Sequence, residues 1–329
     1  MKKRYIILTA CILLFVMCLA SCRGGNGDDT ETHAEYCTVS FDTWGGSQVE
    51  AVRVLEGNKI NEPQAPVKDG FIFNGWSYNG KDWTFSRDTV TGSITLTAKW
   101  IDVESLYQLE GDTDIGFTVT AVKKEYENMT VPAKARGGNI VAVGEGVFEG
   151  VSEKVKSITL AETVRSVGKN AFKNVTVDIT VNGELTQVGE SAFYGCTGLK
   201  KIDFGEGLTT IPPTAFYGCS SLGELVLPST LEKIDENAFE DCTSVKAIIM
   251  HKQTVTVCDG AFFNLPLFEV IYYYGTQTDV DEVNVAIKND DLKDVFESNV
   301  YFYSAEKPTA KGKFWYFSDS GKIRVWEDK

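Results

Sequence analysis

Eight cysteines, two histidines and scattered carboxylates are the groups in this 329-residue chain that could do chemistry. Cys196, Cys219 and Cys242 stand in register, each three residues after a phenylalanine. A ladder of this kind could hold a metal or form disulfides. The same slot elsewhere holds Val151, Val175 and Leu265, however, so it is a small apolar core position and its thiols are expected to be free and buried. No C-x-x-C pair occurs, which removes the usual zinc spacing. Cys258 occupies a slot filled elsewhere by Gly144, Gly168, Gly189, Pro212 and Asp235, a turn near the surface, while Cys37 opens a strand. Whether these two pair is left open by the sequence. His33 and His251 have no metal or triad partner by spacing and read as plain surface residues. Asp279, Asp281, Glu282, Asp290 and Asp291 lack the spacing of a calcium loop and read as a solvated acidic face. There is no G-x-S-x-G, H-E-x-x-H, phosphate loop or dinucleotide fingerprint. No catalytic residue, cofactor or metal is expected, and the chain is not expected to be an enzyme.

The elements that carry these residues begin with an address. Lys2-Lys3-Arg4 followed by an apolar stretch from Tyr5 to Ala20 has the charged head and apolar middle of a secretory signal. Arg23 and the glycines after it close the stretch before it reaches the about 20 apolar residues of a membrane span. Its end, Leu19-Ala20-Ser21-Cys22, resembles the lipobox of bacterial lipoproteins. That resemblance implies a signal peptide over 1–21, lipidation of Cys22, and a membrane-anchored lipoprotein of the bacterial cell envelope, exposed at the surface; envelope type and leaflet stay open. Each lipid methylene buried adds about 0.8 kcal/mol to anchoring. Residues 22–35 read as a flexible tether. The formal charge of −14 becomes −17 once the three positive charges Lys2, Lys3 and Arg4 are lost. A field of that sign repels phosphate backbones, so nucleic acid is not a partner.

Residues 36–101 alternate polar and apolar residues in Thr38-Val39-Ser40-Phe41 and in Ile94-Thr95-Leu96-Thr97-Ala98-Lys99-Trp100, with turn signals at Gly45-Gly46 and Asn79-Gly80. Together with Gly70-Phe71-Ile72-Phe73-Asn74-Gly75-Trp76 and Trp83-Thr84-Phe85, the module resembles the internalin-type B repeat, implying a small β-grasp-like spacer or weak adhesive unit. Trp76, Trp83 and Trp100 could stack on sugars, but in so small a module they read as core.

Residues 102–275 repeat. Phe148, Phe172, Phe193, Phe216, Phe239 and Phe262 each follow Ala or Val at intervals of 24, 21, 23, 23 and 23 residues. Five residues before each lies Val143, Val167, Val188, Ile211, Ile234 or Val257. Twelve before lies Leu160, Val181, Phe204, Leu227 or Met250, and two earlier Ile158, Ile179, Ile202, Leu225 or Ile248. Each unit is therefore expected to give one short strand with an inward pair, a turn, and an Ala-Phe segment that closes the coil. Ala192-Phe193-Tyr194-Gly195-Cys196-Thr197-Gly198-Leu199 and its recurrences resemble the BspA-like leucine-rich repeats of bacterial surface proteins over roughly 117–275. The implied fold class is mainly β: a small β-grasp-like module, then a leucine-rich-repeat solenoid. Residues 276–329 resemble the tail that caps such solenoids, with a helix expected near 283–296 and strands after it.

Between the inward pairs, the outward strand positions change character along the chain. Ser157, Thr159, Asp178, Thr180, Lys201 and Asp203 are polar; Val226, Ala247, Ile249, Val270 and Tyr272 form an apolar row and the candidate binding face. That row meets either an external partner or the chain's own tail, which carries Tyr301, Phe302, Trp315 and Trp326. If the tail covers it, the free surface moves to the polar rungs. The expected role is a non-enzymatic adhesin or binding module for a protein or glycan on another surface; the alternative is a structural envelope protein without a specific ligand.

Overall fold

The computed structural model describes residues 35–251, 255–281, 283–309 and 312–326. The signal segment, Cys22, His33 and Glu282 lie outside the described residues.

The first module is a five-stranded sheet in the order Val52–Leu55, Tyr36–Asp42, Ile94–Asp102, Phe71–Tyr78, Lys81–Asp82, with one parallel pair, Tyr36–Asp42 beside Ile94–Asp102. Asn79 and Gly80 both take positive φ and close a two-residue hairpin, as the Asn-Gly signal demands. Alternation buries Val39, Leu96 and Ala98 against Trp76, which is 1 % exposed and flanked edge-on by Phe41 and Phe73. Trp83 and Trp100 are half-buried and pack on this cluster from its margin. Among the described residues no helix lies between Tyr36 and Asp102.

The sheet runs into the second module without a loop. Strand Ile94–Asp102 passes into the helical turn Val103–Leu106, capped by the Asp102 carboxylate on the Glu104 N–H, and on into Tyr107–Asp112. Val103 N–H donates to Gly70 O, Gly137 N–H to the Asp69 carboxylate, and Arg136 forks onto Glu104.

From Gly116 the chain winds into stacked coils that share one core. Each coil gives two strands, not the single one expected, except the coil closed by Phe216, which keeps only the second. The front ladder takes Asn128–Val131, Ser157–Leu160 and Asp178–Val181, then, after a gap, Glu224–Val226, Ala247–His251 and Val270–Tyr274. A second ladder is built from short pairs at the β-branched position five residues before each Phe, such as Ser166–Val167 and Lys233–Ile234. The β-branched side chains stiffen an extended backbone there. Inward residues are buried as expected: Ile158, Leu160, Leu225 and Leu227 are at most 1 % exposed. The repeat phenylalanines form one continuous stack, with successive centroids 4.9, 5.2, 5.3, 5.2 and 5.3 Å apart and rings within 13° of parallel. Beside it, each Phe N–H from Phe148 to Phe239 donates to the next coil's Ala carbonyl at 2.8 Å.

Both ends of the stack are sealed. Tyr107, fully buried, meets Phe148 edge-on and donates its hydroxyl to Thr130 O. At the other end the expected helix over 283–296 is corrected: Asn284–Val285 forms the last rung of the second ladder, and the helix spans Asp290–Ser298. Beyond it Val300–Tyr303, Phe314–Phe317 and Ile323–Val325 continue the front ladder.

Candidate functional site

The front ladder sets its outward side chains on neighbouring rungs, about 4.8 Å apart. In the early coils these are Asn128 and Thr130, Ser157 and Thr159, Asp178 and Thr180, paired in direct register. All are exposed or half-exposed, and Ser157 donates its hydroxyl to Asn128 across one rung. Lys201 and Asp203 follow, joined to each other at 2.6 Å. The strip is polar and carries both charges.

The apolar row exists in the expected register, Val226 beside Ile249 beside Tyr272, with Glu224, Ala247 and Val270 on the adjacent line. As an exposed contact surface it is corrected. Ile249 is only 3 % exposed, and Ala247, Val270 and Tyr272 are half-buried; Val226, at 41 %, stands open. The tail packs on the last residue of the row, Tyr272. Tyr301 pairs with Tyr272 as the next rung, and Trp315, fully buried, packs its indole against Tyr272, Tyr274 and Tyr303 with centroids 5.5, 4.9 and 5.1 Å away. Its indole N–H reaches Tyr273 O. The tail extends the sheet, and its large aromatics then lean back over the last rungs.

His251 also differs from the expected plain surface residue. It ends strand Ala247–His251, half-buried, with its ring parallel to Tyr274 at 4.5 Å, and burial pushes its pKa down against the opposing pull of Glu206. The acidic side chains of the tail are engaged locally: Asp279 accepts from Thr276, Asp281 from Gln277, and Asp291 from the Leu265 N–H. Among the described residues no group of three or more His, Cys, Asp or Glu side chains is placed to hold a metal ion.

Cys196, Cys219 and Cys242 are free and fully buried, and each donates its thiol to the carbonyl of the preceding coil's phenylalanine, at 3.0, 3.2 and 3.1 Å. Burial pushes the Cys196 thiol up to about 12 and Cys219 well above its ordinary range. Cys37 is buried and Cys258 half-exposed; both are free, so they do not pair. A strip missed in the sequence lies just past the phenylalanines: Tyr194 and Tyr217 stack at 4.7 Å, with Lys173 over the Tyr194 ring. Its signal, one residue after each repeat Phe, was present but varied in chemistry from coil to coil.

Comparison with known proteins places these features. Residues 139–273 match the BspA type leucine rich repeat region in six copies, and residues 37–99 match the Listeria-Bacteroides repeat domain. A protein of Evansella cellulosilytica described as a Gly-rich membrane protein is 39 % identical over 102 residues, 30 % of this chain and 12 % of its own length. A second membrane protein from that organism is 30 % identical over 166 residues, 49 % of this chain and 25 % of its own. The chain thus spans a quarter or less of these curated relatives. Among solved structures, a T. pallidum leucine rich repeat protein is 20 % identical, covering 59 % of this chain and 95 % of that one at a TM-score of 0.43. A leucine rich cell surface protein of Faecalibacterium prausnitzii is likewise 20 % identical, covering 67 % and 59 % at 0.40. The repeat phenylalanines and inward pairs fall inside the first match, and the second covers the first-module strands but for Tyr36 and residues 100–102: the chain carries a BspA-type leucine-rich-repeat region behind a Listeria-Bacteroides repeat domain.

Proposed function

We propose that this chain is a lipid-anchored surface protein without catalytic activity, in which residues 36–101 act as a spacer and the early front ladder of the repeat region binds a protein or glycan on another surface. The observation that carries the reading is the strip from Asn128 to Asp203: six outward polar side chains on paired rungs, continued by Lys201 and Asp203, on a rigid stacked core. Repeat scaffolds of this kind present extended surfaces for contact. The contact is assigned to these polar rungs because the late apolar row is mostly buried, its last residue Tyr272 against the chain's own Trp315 and Tyr301. The lipobox-like Leu19-Ala20-Ser21-Cys22 supports the anchor, with Cys22 as the lipidated residue.

Two measurements test this. Pulldown by the chain from panels of matrix proteins and glycans should show saturable retention of at least one component; the absence of any supports the structural-envelope alternative instead. Replacing Cys22→Ala should move the protein out of the detergent phase on partitioning while leaving its unfolding transition unchanged. An unaltered detergent fraction would contradict the anchor.

A further inference from the structure

Both ladders part at one junction, between the coils closed by Phe193 and Phe216. Phe172 and Phe193 are 21 residues apart where the later coils take 23, and the deficit falls entirely before the front strand: five residues separate Phe172 from Asp178, seven separate Phe193 from Lys201. The shorter connection slips the strand. Ile179 bridges to Leu199 rather than to Ile202, donating its N–H to Gly198 O at 3.5 Å, and pairing resumes only where Leu185 meets Phe204. No main-chain bond joins residues 180–184 to 200–202 among the described residues. Gly198 is what lets the two chains touch at the near end, since a Cβ there would lie 1.9 Å from Val177 O. On the second ladder the break falls at Pro212, which has no N–H for the bond that Gly189 and Asp235 make in the neighbouring coils.

Between the two points of contact the rungs open into a cleft of about 340 Å³ on the front face. Ile179 and Val181 lie in its floor. Asp178, Thr180 and Asn182 line one side, Lys200, Lys201 and Asp203 the other. The Ile179 N–H points to the later coil and the Asn182 N–H back to Leu160, so strand alternation turns the Val181 N–H toward the opening. The charges are matched: Lys200 spans the cleft to Asp178 at 2.6 Å, and Lys201 pairs with Asp203 at 2.6 Å. An anion or a cation would have to break one of these pairs. A peptide strand cannot run along the rung, because main-chain bonds close both ends. A compact neutral group that donates and accepts hydrogen bonds from the same atoms satisfies all of these conditions, and the volume is that of a small-ligand site.

We propose that this cleft binds a neutral sugar, entering as the terminal residue of a glycan; the proposal rests on the surface-binding reading and gives it a site. Saturation-transfer NMR on the full chain, with glucose, galactose, mannose and N-acetylglucosamine as separate probes and N-acetylneuraminate as the charged control, tests it. Transfer to at least one neutral sugar is expected, with none to the control. Thr180→Trp, which fills the opening, and the exposed pair Asp178→Asn with Asp203→Asn should each reduce that transfer at least fivefold at an unchanged unfolding midpoint. Transfer to no neutral sugar, equal transfer to the charged control, or a signal that survives both variants would overturn the assignment. Should the sugar fail while pulldown still retains a partner, the surface-binding reading stands and its contact lies elsewhere on the rungs.

Discussion

Each repeat phenylalanine sits between two left-handed residues. Two before it stand Gly146, Asn170, Ser191, Thr214, Asn237 and Gly260; two after it stand Gly150, Asn174, Gly195, Gly218, Asp241 and Asn264; all twelve have φ between 53° and 76°. Gly, Asn and Asp tolerate this region, and their recurrence at these offsets is the sequence signature of the bend that turns the ring inward. The ring then fills the space between coils. Replacing Phe216 by Ala removes the middle of the stack and should cost about 3–5 kcal/mol in denaturant unfolding. The conservative Phe204→Tyr, at a position 9 % exposed beside Phe216, should cost far less. A loss for Phe216→Ala below about 1 kcal/mol, the range of surface changes, would mean the stack does not hold the coils together. The three thiols beside the stack are fully buried and bonded to carbonyls, and burial raises those of Cys196 and Cys219, so a thiol reagent at neutral pH should label half-exposed Cys258 well before any of them. Labelling of Cys196, Cys219 or Cys242 at the rate of Cys258 would show that the coils open.

At the scale of elements, the end of the stack is closed by one side chain. The Phe262 N–H, whose counterparts bond to the next coil's Ala carbonyl, instead donates to Asn289 Oδ1 at 2.9 Å, while Asn289 Nδ2 donates to Cys258 O, Ala286 O and Ile287 O. The fully buried amide stands in for the missing coil. Asn289→Ala leaves the Phe262 N–H without that acceptor, and unfolding measurements should register a cost of about 1–3 kcal/mol for the orphaned donor; a neutral result would remove Asn289 from the cap. This device was not legible in the sequence, because Asn289 belongs to no repeat. What repeats was legible: the six phenylalanines, the inward pairs and the small slot of Cys196, Cys219 and Cys242 all follow from side-chain period. The second ladder was missed because its strands are two residues long, too short for alternation to show. What meets the apolar row stayed open in the sequence between an external surface and the tail, because Trp315 lies 43 residues beyond Tyr272, whose ring it meets, and no local pattern carries a contact between such distant segments.

At the scale of the molecule, the parts form a directed arrangement. The first sheet passes into the repeat core through the Asp102-capped turn, and Ile72 and Ile101 pack against that core, so the first module and the coils are joined by buried contacts as well as by chain. Tyr107 seals the first coil and the Asn289 cap the last. Between them the early rungs keep an outward polar face, while the tail's aromatics close the late one. We assign the proposed contact to this early face. Its most direct test is quantitative binding of the chain to the component retained in the pulldown, with two double variants compared. Thr159→Arg with Thr180→Arg changes the front rungs; Tyr194→Arg with Glu240→Arg changes the strip beside the phenylalanines. At least a tenfold loss of affinity is expected for the first pair and parent-like affinity for the second, at unchanged unfolding midpoints. Parent-like binding by the front-rung variant, or loss confined to the second pair, would contradict it.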